Sequence, residues 1–123
     1  MPKATIYHNP RCSKSRQTLA LLEAHNVAVE VIEYLQTPLS MATLQTLSEQ
    51  LNMAPRQFMR SKEAAYRERD LGSPDISDHE LFEAIIAEPI LLERPIVVMQ
   101  DRAILGRPPE NVLALIEPAK PTA

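Results

Sequence analysis

The first 34 residues place the strongest constraint on the fold, because their pattern changes from that of a strand to that of a helix and back. Residues 4–8 are rich in β-branched and aromatic types, which predicts a short strand. From Ser13 the apolar residues follow helical spacing until about Asn26. Residues 27–34 alternate over several positions, which predicts a second strand. A helix that joins two strands in this way implies that they are parallel, so the sequence predicts an α/β fold.

Helical patterns dominate the middle of the chain. Ser40 is a good N-cap for one helix, and a capping box formed by Ser77 and Glu80 opens a later helix that is rich in apolar residues. Proline and glycine punctuate the segment between these two helices. Two shorter helices are predicted there, one over residues 55–59 and one over residues 62–71, the second stopped by Gly72.

Strand patterns return after this helical stretch. Their β-branched residues and a polar turn predict a hairpin, and a proline pair favours a helix start after it. The predicted elements are a strand over residues 96–99, a tight turn at Gln100 and Asp101, an antiparallel strand over residues 103–105, and a last helix opened by Pro108 and Pro109.

The order of the elements is β-α-β, then helices, then β-β-α. This is the outline of a thioredoxin-like fold, with a mixed four-stranded sheet flanked by helices and a helical insertion at about residues 40–88. We therefore predict a single domain over residues 1–117 and a flexible tail over residues 118–123.

Composition and charge argue against several classes of protein. The net charge of −3 over 123 residues disfavours broad nucleic-acid binding, which needs a basic face. One cysteine and three scattered histidines match no zinc spacing, so we expect no metal and no bound cofactor. The N-terminus lacks the pattern of a signal peptide, and no apolar run is long enough to span a membrane. We expect a cytoplasmic monomer without a nucleic-acid or membrane partner.

The only cysteine, Cys12, lies between the first strand and the first helix. The first N–H groups of a helix carry partial positive charge and can lower a thiol pKa to about 3.5–7.5. Arg11, Lys14 and Arg16 add positive charge, and the same backbone donors can hold an oxyanion. A lone cysteine is most often a small buried apolar residue, but this position favours a reactive thiol. Ser15 stands where a thioredoxin-type pair has its second cysteine, so a mixed disulfide would need an outside thiol.

Two arginines at predicted strand ends are candidates for binding an oxyanion. Arg94 comes just before Pro95 at the start of a strand, and Arg107 comes just before Pro108 at a strand-to-helix turn. Strand ends converge at the ligand crevice of an open α/β sheet, and the guanidinium fork matches paired oxygens. Most arginines are instead solvated or form weak surface pairs. For Arg60, the interpretation as a solvated surface residue is the stronger one, because Arg60 lies in a segment full of charge.

Three motifs resemble those of a known family. The segment HNPRCSKSR around Cys12 resembles the H-N-P-x-C-x-x-S-R loop of the glutaredoxin-linked arsenate reductases, the ArsC family. LLERPIVV and ILGRPPENV are similar to its other two signatures. The similarity covers nearly all of residues 4–117 and is nearest to the short, YfgD-like branch. It implies a thioredoxin-like fold and reduction of arsenate to arsenite, with glutathione as co-substrate and glutaredoxin as the partner that clears the mixed disulfide.

The resemblance also implies a set of site residues. Cys12 is the catalytic nucleophile that forms a thiol–arsenate adduct. His8 could bias the thiol by its charge or by a hydrogen bond, or have no role. Pro95 falls in the place of the cis proline that thioredoxin-like folds put beside the cysteine, although trans proline is the commoner case. The residues implied for substrate binding are Arg60, Arg94, Arg107, Ser15 and Arg16, and those implied for support are His8, Asn9 and Pro95.

Two other functions fit the same sequence. One is a different glutathione-linked thiol oxidoreductase, which would reduce a disulfide or a small electrophile through Cys12. The other is a regulator similar to the Spx-like proteins, which bind RNA polymerase and carry out little redox catalysis. A regulator would use the surface of the helical insertion rather than the thiol, whereas the three matched arginines favour anion chemistry.

Overall fold

The computed structural model describes residues 3–37 and 39–116. Within these residues four strands form one mixed sheet in the order β2-β1-β3-β4. β1 pairs with β2 in parallel, whereas the β1–β3 and β3–β4 pairs are antiparallel. The α/β fold with a mixed four-stranded sheet is therefore confirmed. The strands are β1 (Lys3–Tyr7), β2 (Ala28–Ile32), β3 (Ile96–Met99) and β4 (Arg102–Leu105).

Two helices complete this part of the chain. α1 (Ser13–Ala24) begins after Cys12, which takes the N-cap position with extended backbone. α5 (Leu113–Ile116) follows a short 3₁₀ helix over Pro109–Val112. Apolar side chains from the helical segments and the sheet form one buried cluster, whose members are Ala4, Ile6, Leu22, Val27, Val97 and Val112.

A second compact unit, Tyr34–Glu93, lies in sequence between β2 and β3, while the first comprises Met1–Glu33 and Arg94–Ala123. It contains α2 (Met41–Leu51), α3 (Ala64–Glu68) and α4 (Asp78–Ala87), with 3₁₀ helices at Pro55–Phe58 and Pro89–Leu91. Both predicted caps are present. Ser40 Oγ accepts from the backbone N–H of Thr43, and Ser77 and Glu80 form the reciprocal capping box.

The structure corrects some of the predicted boundaries. α3 is shorter than the helix predicted over residues 62–71, and Gly72 does not stop it. Asp70 adopts a left-handed backbone with φ of 52°. The N–H groups of Asp70 and Leu71 donate to the carbonyls of Arg67 and Tyr66, respectively, and these bonds close the helix at Glu68, four residues before the glycine.

The predicted last helix begins as a 3₁₀ turn, because the proline pair supplies fixed φ angles but no N–H donors. The cis bond predicted at Pro95 is present, and a second cis bond, not predicted, precedes Pro108. The single-domain prediction remains a prediction, since the chain clusters into two compact units. The tail predicted over residues 118–123 lies outside the described residues. In the described part of the chain, none of the helices has the length and apolar character needed to cross a bilayer.

We expect Leu22→Ala to lower the free energy of unfolding by about 2–5 kcal/mol, because it truncates a fully buried side chain of α1 and leaves a cavity. Urea unfolding followed by circular dichroism measures the change. Leu35→Ala serves as the control, since Leu35 is 41% exposed and its truncation should cost less than about 1 kcal/mol. Equal losses in the two variants would contradict the assigned core.

Candidate active site

The ends of three strands bring the Cys12 loop, Arg94 and Arg107 to one edge of the sheet. β1 and β3 are antiparallel with Tyr7 opposite Ile96, so residues just after β1 share an edge with residues just before β3. Leu105 at the end of β4 also lies opposite Ile96. Three segments therefore meet at the carboxyl end of β1: the loop that carries Cys12, the residues around Arg94 before β3, and the residues around Arg107 after β4. The strand order alone requires this.

Asn9 shapes the loop between β1 and α1. Its side-chain Oδ1 accepts from the backbone N–H of Arg11 at 3.0 Å, and its carbonyl accepts from the N–H of Cys12 at 3.0 Å. Such a turn around an asparagine is a common way to reverse the chain ahead of a helix. The Cys12 carbonyl then accepts the first helical bond, from Arg16 N–H at 3.0 Å. Asn9 thus places Cys12 at the start of α1, which fits its predicted supporting role.

Ser15 and His8 form a buried pair under this loop. Ser15 Oγ lies 2.7 Å from His8 Nδ1 and accepts from the backbone N–H of Asn9 at 3.1 Å. Burial lowers the pKa of His8, the Glu33 carboxylate opposes that effect, and the Arg16 charge adds to it. A neutral His8 with its proton on Nε2 would accept a hydrogen bond at Nδ1 from the Ser15 hydroxyl.

The Ser15 hydroxyl is thus already engaged within the loop, and its role as a substrate ligand stays a prediction. The side chain is fully buried and its oxygen is engaged within the loop. The backbone N–H of Ser15 acts instead on the sulfur of Cys12. Sequence alone gives residue type and spacing, but it does not tell whether a serine in a helix start faces inward or outward.

The sulfur of Cys12 is half-buried and surrounded by positive potential. Burial raises the pKa of the thiol, but the backbone N–H of Ser15, the hydrogen bond and charge of Arg94, and the backbone N–H of Lys14 outweigh it and lower the pKa. The thiol makes no regular capping hydrogen bond. The attraction of these donors is thus directed at the thiolate, which accepts hydrogen bonds better than the thiol.

Arg94 is the arginine that the structure connects to Cys12. Its Nε and Nη1 atoms are buried, where a charge is less screened than at the surface. Arg107 is adjacent, since its Nη1 donates to the backbone carbonyl of Arg94 at 3.4 Å. Arg107 is exposed, and its own carbonyl accepts from Asn111 Nδ2 at 3.0 Å. The two arginines predicted from strand ends therefore lie together, one against the sulfur and one at the surface.

The other two predicted arginines have different surroundings. Arg16 is exposed and donates from Nη1 to the carbonyl of Pro10 at 2.8 Å, so it folds over the loop that carries the cysteine. Arg60 belongs to the unit Tyr34–Glu93, and its Nη1 lies 2.6 Å from Glu63 Oε1 in an ion pair. An oxyanion ligand from Arg60 would compete with that carboxylate, and its role stays a prediction.

Two residues of this region were not singled out by sequence. Thr18 on α1 and Gly106 after β4 are buried and contact each other behind the site. Gly106 had one available signal, since it is one of only two glycines in the chain and stands directly before Arg107. Thr18 had none, because a threonine inside a helix is usually unremarkable. Within the described residues, no group of three or more His, Cys, Asp or Glu side chains could hold a metal ion.

A mixed sheet of this order, with a cysteine at the start of its first helix, defines a thioredoxin-like domain. The chain belongs to the ArsC family, whose model matches residues 7–115. It is 49% identical over 112 residues to YfgD of Escherichia coli strain K12, which covers 90% of this chain and 94% of YfgD.

A relative from Neisseria meningitidis named arsenate reductase is 44% identical over 117 residues, covering 94% of this chain and all of that protein. Among solved structures, an arsenate reductase from Vibrio cholerae is similar with a TM-score of 0.90 and 50% identity. That similarity covers 92% of this chain and 97% of the other chain.

We expect Arg94→Gln to raise the pKa of the Cys12 thiol, because it removes the cation that favours the thiolate. The rate of alkylation by iodoacetamide as a function of pH measures the change. In the unmodified protein the rate falls as the pH drops through the lowered pKa, and in the variant this fall begins at higher pH. Arg102→Gln removes an exposed arginine of β4 and is the matched control. A shift of equal size in both variants would contradict a specific contact.

Proposed function

We propose that this chain reduces arsenate to arsenite, with Cys12 as the nucleophile. The observation that carries the proposal is the half-buried sulfur whose ionised form is favoured by two backbone N–H groups and by Arg94. A thiolate is the reactive form of cysteine, and backbone donors at a helix start also suit a bound oxyanion. Relatives from Neisseria meningitidis and Vibrio cholerae that carry the name arsenate reductase support the choice of substrate.

The first step joins sulfur to arsenic. The Cys12 thiolate attacks As(V), a S–As bond forms as one As–O bond breaks, and the departing oxygen takes up protons and leaves as water. Arg94 and Arg107 hold the remaining oxygens and offset their negative charge. In this proposal Arg16 adds positive charge around the oxyanion, and a contribution from Arg60 stays what the family resemblance implies. Ser15 contributes through its backbone N–H rather than through its hydroxyl.

The second step transfers two electrons to arsenic. Cys12 is the only cysteine, so the reductant must come from outside the chain. A glutathione thiolate attacks the Cys12 sulfur, and the S–As electron pair passes to arsenic, which leaves as As(III) in arsenite. A disulfide between Cys12 and glutathione remains. A second glutathione, acting through glutaredoxin, reduces that disulfide and restores the Cys12 thiolate, so two thiols supply the two electrons.

Such a cycle fits a reducing compartment, where thiols are kept reduced, and we place it in the cytoplasm. We take the acting species to be a monomer, with glutathione as co-substrate and no bound cofactor. Reduction of another glutathione-linked disulfide would use the same sulfur and the same outside thiol, so the substrate itself must be tested.

We expect Cys12→Ser to abolish formation of arsenite, because a hydroxyl in this position is neither ionised nor able to form the disulfide. The assay supplies arsenate, glutathione and glutaredoxin and measures arsenite directly. Circular dichroism checks that the variant is folded, and Arg102→Gln serves as the active control. Arsenite formation by the Cys12→Ser variant would refute the assignment of the nucleophile.

A parallel assay addresses the substrate and the partner. The proposal expects arsenate to be turned over faster than a glutathionylated peptide, and omission of glutaredoxin to leave the Cys12–glutathione disulfide, detectable by mass spectrometry. Rapid reduction of the peptide with no arsenite from arsenate would instead identify a disulfide reductase.

A further inference from the structure

Three segments of the chain meet at one point behind the cysteine loop. Thr18 of α1 is fully buried, and its Oγ1 lies 2.7 Å from the carbonyl oxygen of Lys14 and 3.2 Å from that of Gly106. The N–H of Gly106 in turn donates to the carbonyl of Pro95 at 2.9 Å. The hydroxyl of Thr18 thus donates both within α1 and to the segment after β4. That segment is in turn hydrogen-bonded to the segment before β3.

The approach at this point is as close as a side chain permits. A Cβ atom added to Gly106 would lie 2.8 Å from Pro95 Cγ, 2.8 Å from Thr18 Oγ1 and 2.9 Å from Thr18 Cγ2. These separations are shorter than van der Waals contact, so a glycine is required for the three segments to meet. We call this contact between Thr18, Gly106 and Pro95 the junction. Displacement of any one of the three segments would break it.

Each segment at the junction carries a member of the site. Lys14, whose carbonyl accepts from Thr18, also contributes a backbone N–H that favours the Cys12 thiolate. Pro95 directly follows Arg94, and Gly106 directly precedes Arg107. The junction therefore joins the helix that holds the sulfur to the two strand ends that hold the arginines.

A shift of α1 would affect the two kinds of sulfur contact differently. Cys12 is the N-cap of α1, so the sulfur and the N–H groups of Lys14 and Ser15 move together with the helix. Arg94 belongs to the segment before β3 and would stay behind. Loss of the junction thus lengthens the contact between sulfur and guanidinium while it preserves the contacts between sulfur and backbone.

We propose that Thr18 is a positioning residue whose hydroxyl, bonded to the Gly106 carbonyl, holds α1 in the register that brings the Cys12 sulfur to the Arg94 guanidinium. The charged or titratable groups that act on this sulfur or on its loop include Arg94 from the β3 end, His8 from the β1 end through Ser15, Arg16 from α1, and Glu33, which acts on His8. The Thr18 variants leave all of these in the chain.

The test compares Thr18→Val, which keeps the shape but removes the hydroxyl, with Thr18→Ser, which keeps the hydroxyl. Iodoacetamide alkylation of Cys12 across pH reports the thiol pKa, and urea unfolding reports stability. We expect Thr18→Val to raise the thiol pKa and to slow alkylation at neutral pH by about three- to fivefold, the scale of one lost hydrogen bond. Thr18→Ser should stay close to the unmodified protein. An unchanged thiol pKa in Thr18→Val, or equal shifts in both variants, overturns the proposal.

Two further variants separate positioning from packing. Leu22→Ala destabilises α1 without removing the junction, so it should leave the thiol pKa unchanged. A rise in the thiol pKa as large as that of Thr18→Val would mean that loss of stability alone is responsible. In an Arg94→Gln background the Thr18→Val change should have no further effect on the thiol pKa. If Thr18→Val raises the thiol pKa in the Arg94→Gln background as much as it does alone, the effect does not act through Arg94 and the proposal is overturned. Because alkylation needs neither arsenate nor glutathione, these outcomes are independent of the proposed activity.

Discussion

The attraction between the Cys12 sulfur and the positive groups around it is the interaction on which the functional interpretation depends. A half-buried thiol without such partners would stay protonated, because burial disfavours the anion. Here the N–H groups of Ser15 and Lys14 act from the helix start and the guanidinium of Arg94 acts from the strand edge. Because these fixed donors outweigh burial, they favour the ionised form of a sulfur that is still partly exposed.

The fold brings these two sources of positive charge together from distant parts of the sequence. The parallel pair β1–β2 requires α1 to start at the end of β1, which sets Cys12 at a helix N-terminus. The antiparallel pairing of β3 with β1 brings Arg94 to the same edge. Asn9 and Ser15 then bend the loop, and the junction of Thr18 with Gly106 closes the helix against the strands. Strand pairing thus brings the segments of the site to one edge, and individual hydrogen bonds fix the finer positions of their residues.

Sequence reasoning predicted the features that local pattern or motif encodes. The strand–helix–strand unit, the caps at Ser40 and Ser77 and the position of Cys12 follow from spacing and residue type, and the cis bond at Pro95 followed from the family resemblance. The features that sequence reasoning did not predict depend on contacts that no short stretch of the sequence reveals. The direction of the Ser15 hydroxyl depends on His8 folding beneath the helix, and Thr18 meets Gly106 from 88 positions away. α3 ends at Glu68, and the non-glycine residue Asp70 adopts a left-handed backbone just after it, whereas the sequence predicted a stop at Gly72.

Ultraviolet absorbance of the thiolate, recorded during a pH titration of the unmodified protein, measures directly whether the donors around Cys12 lower the pKa of its thiol. The Cys12→Ser variant supplies the baseline, because Cys12 is the only thiol in the chain. We expect one ionisation with a midpoint below the value of about 8.5 for a free cysteine. A midpoint at or above that value would mean that burial prevails over the surrounding donors, and the sulfur would then lack the charge that the proposed chemistry requires.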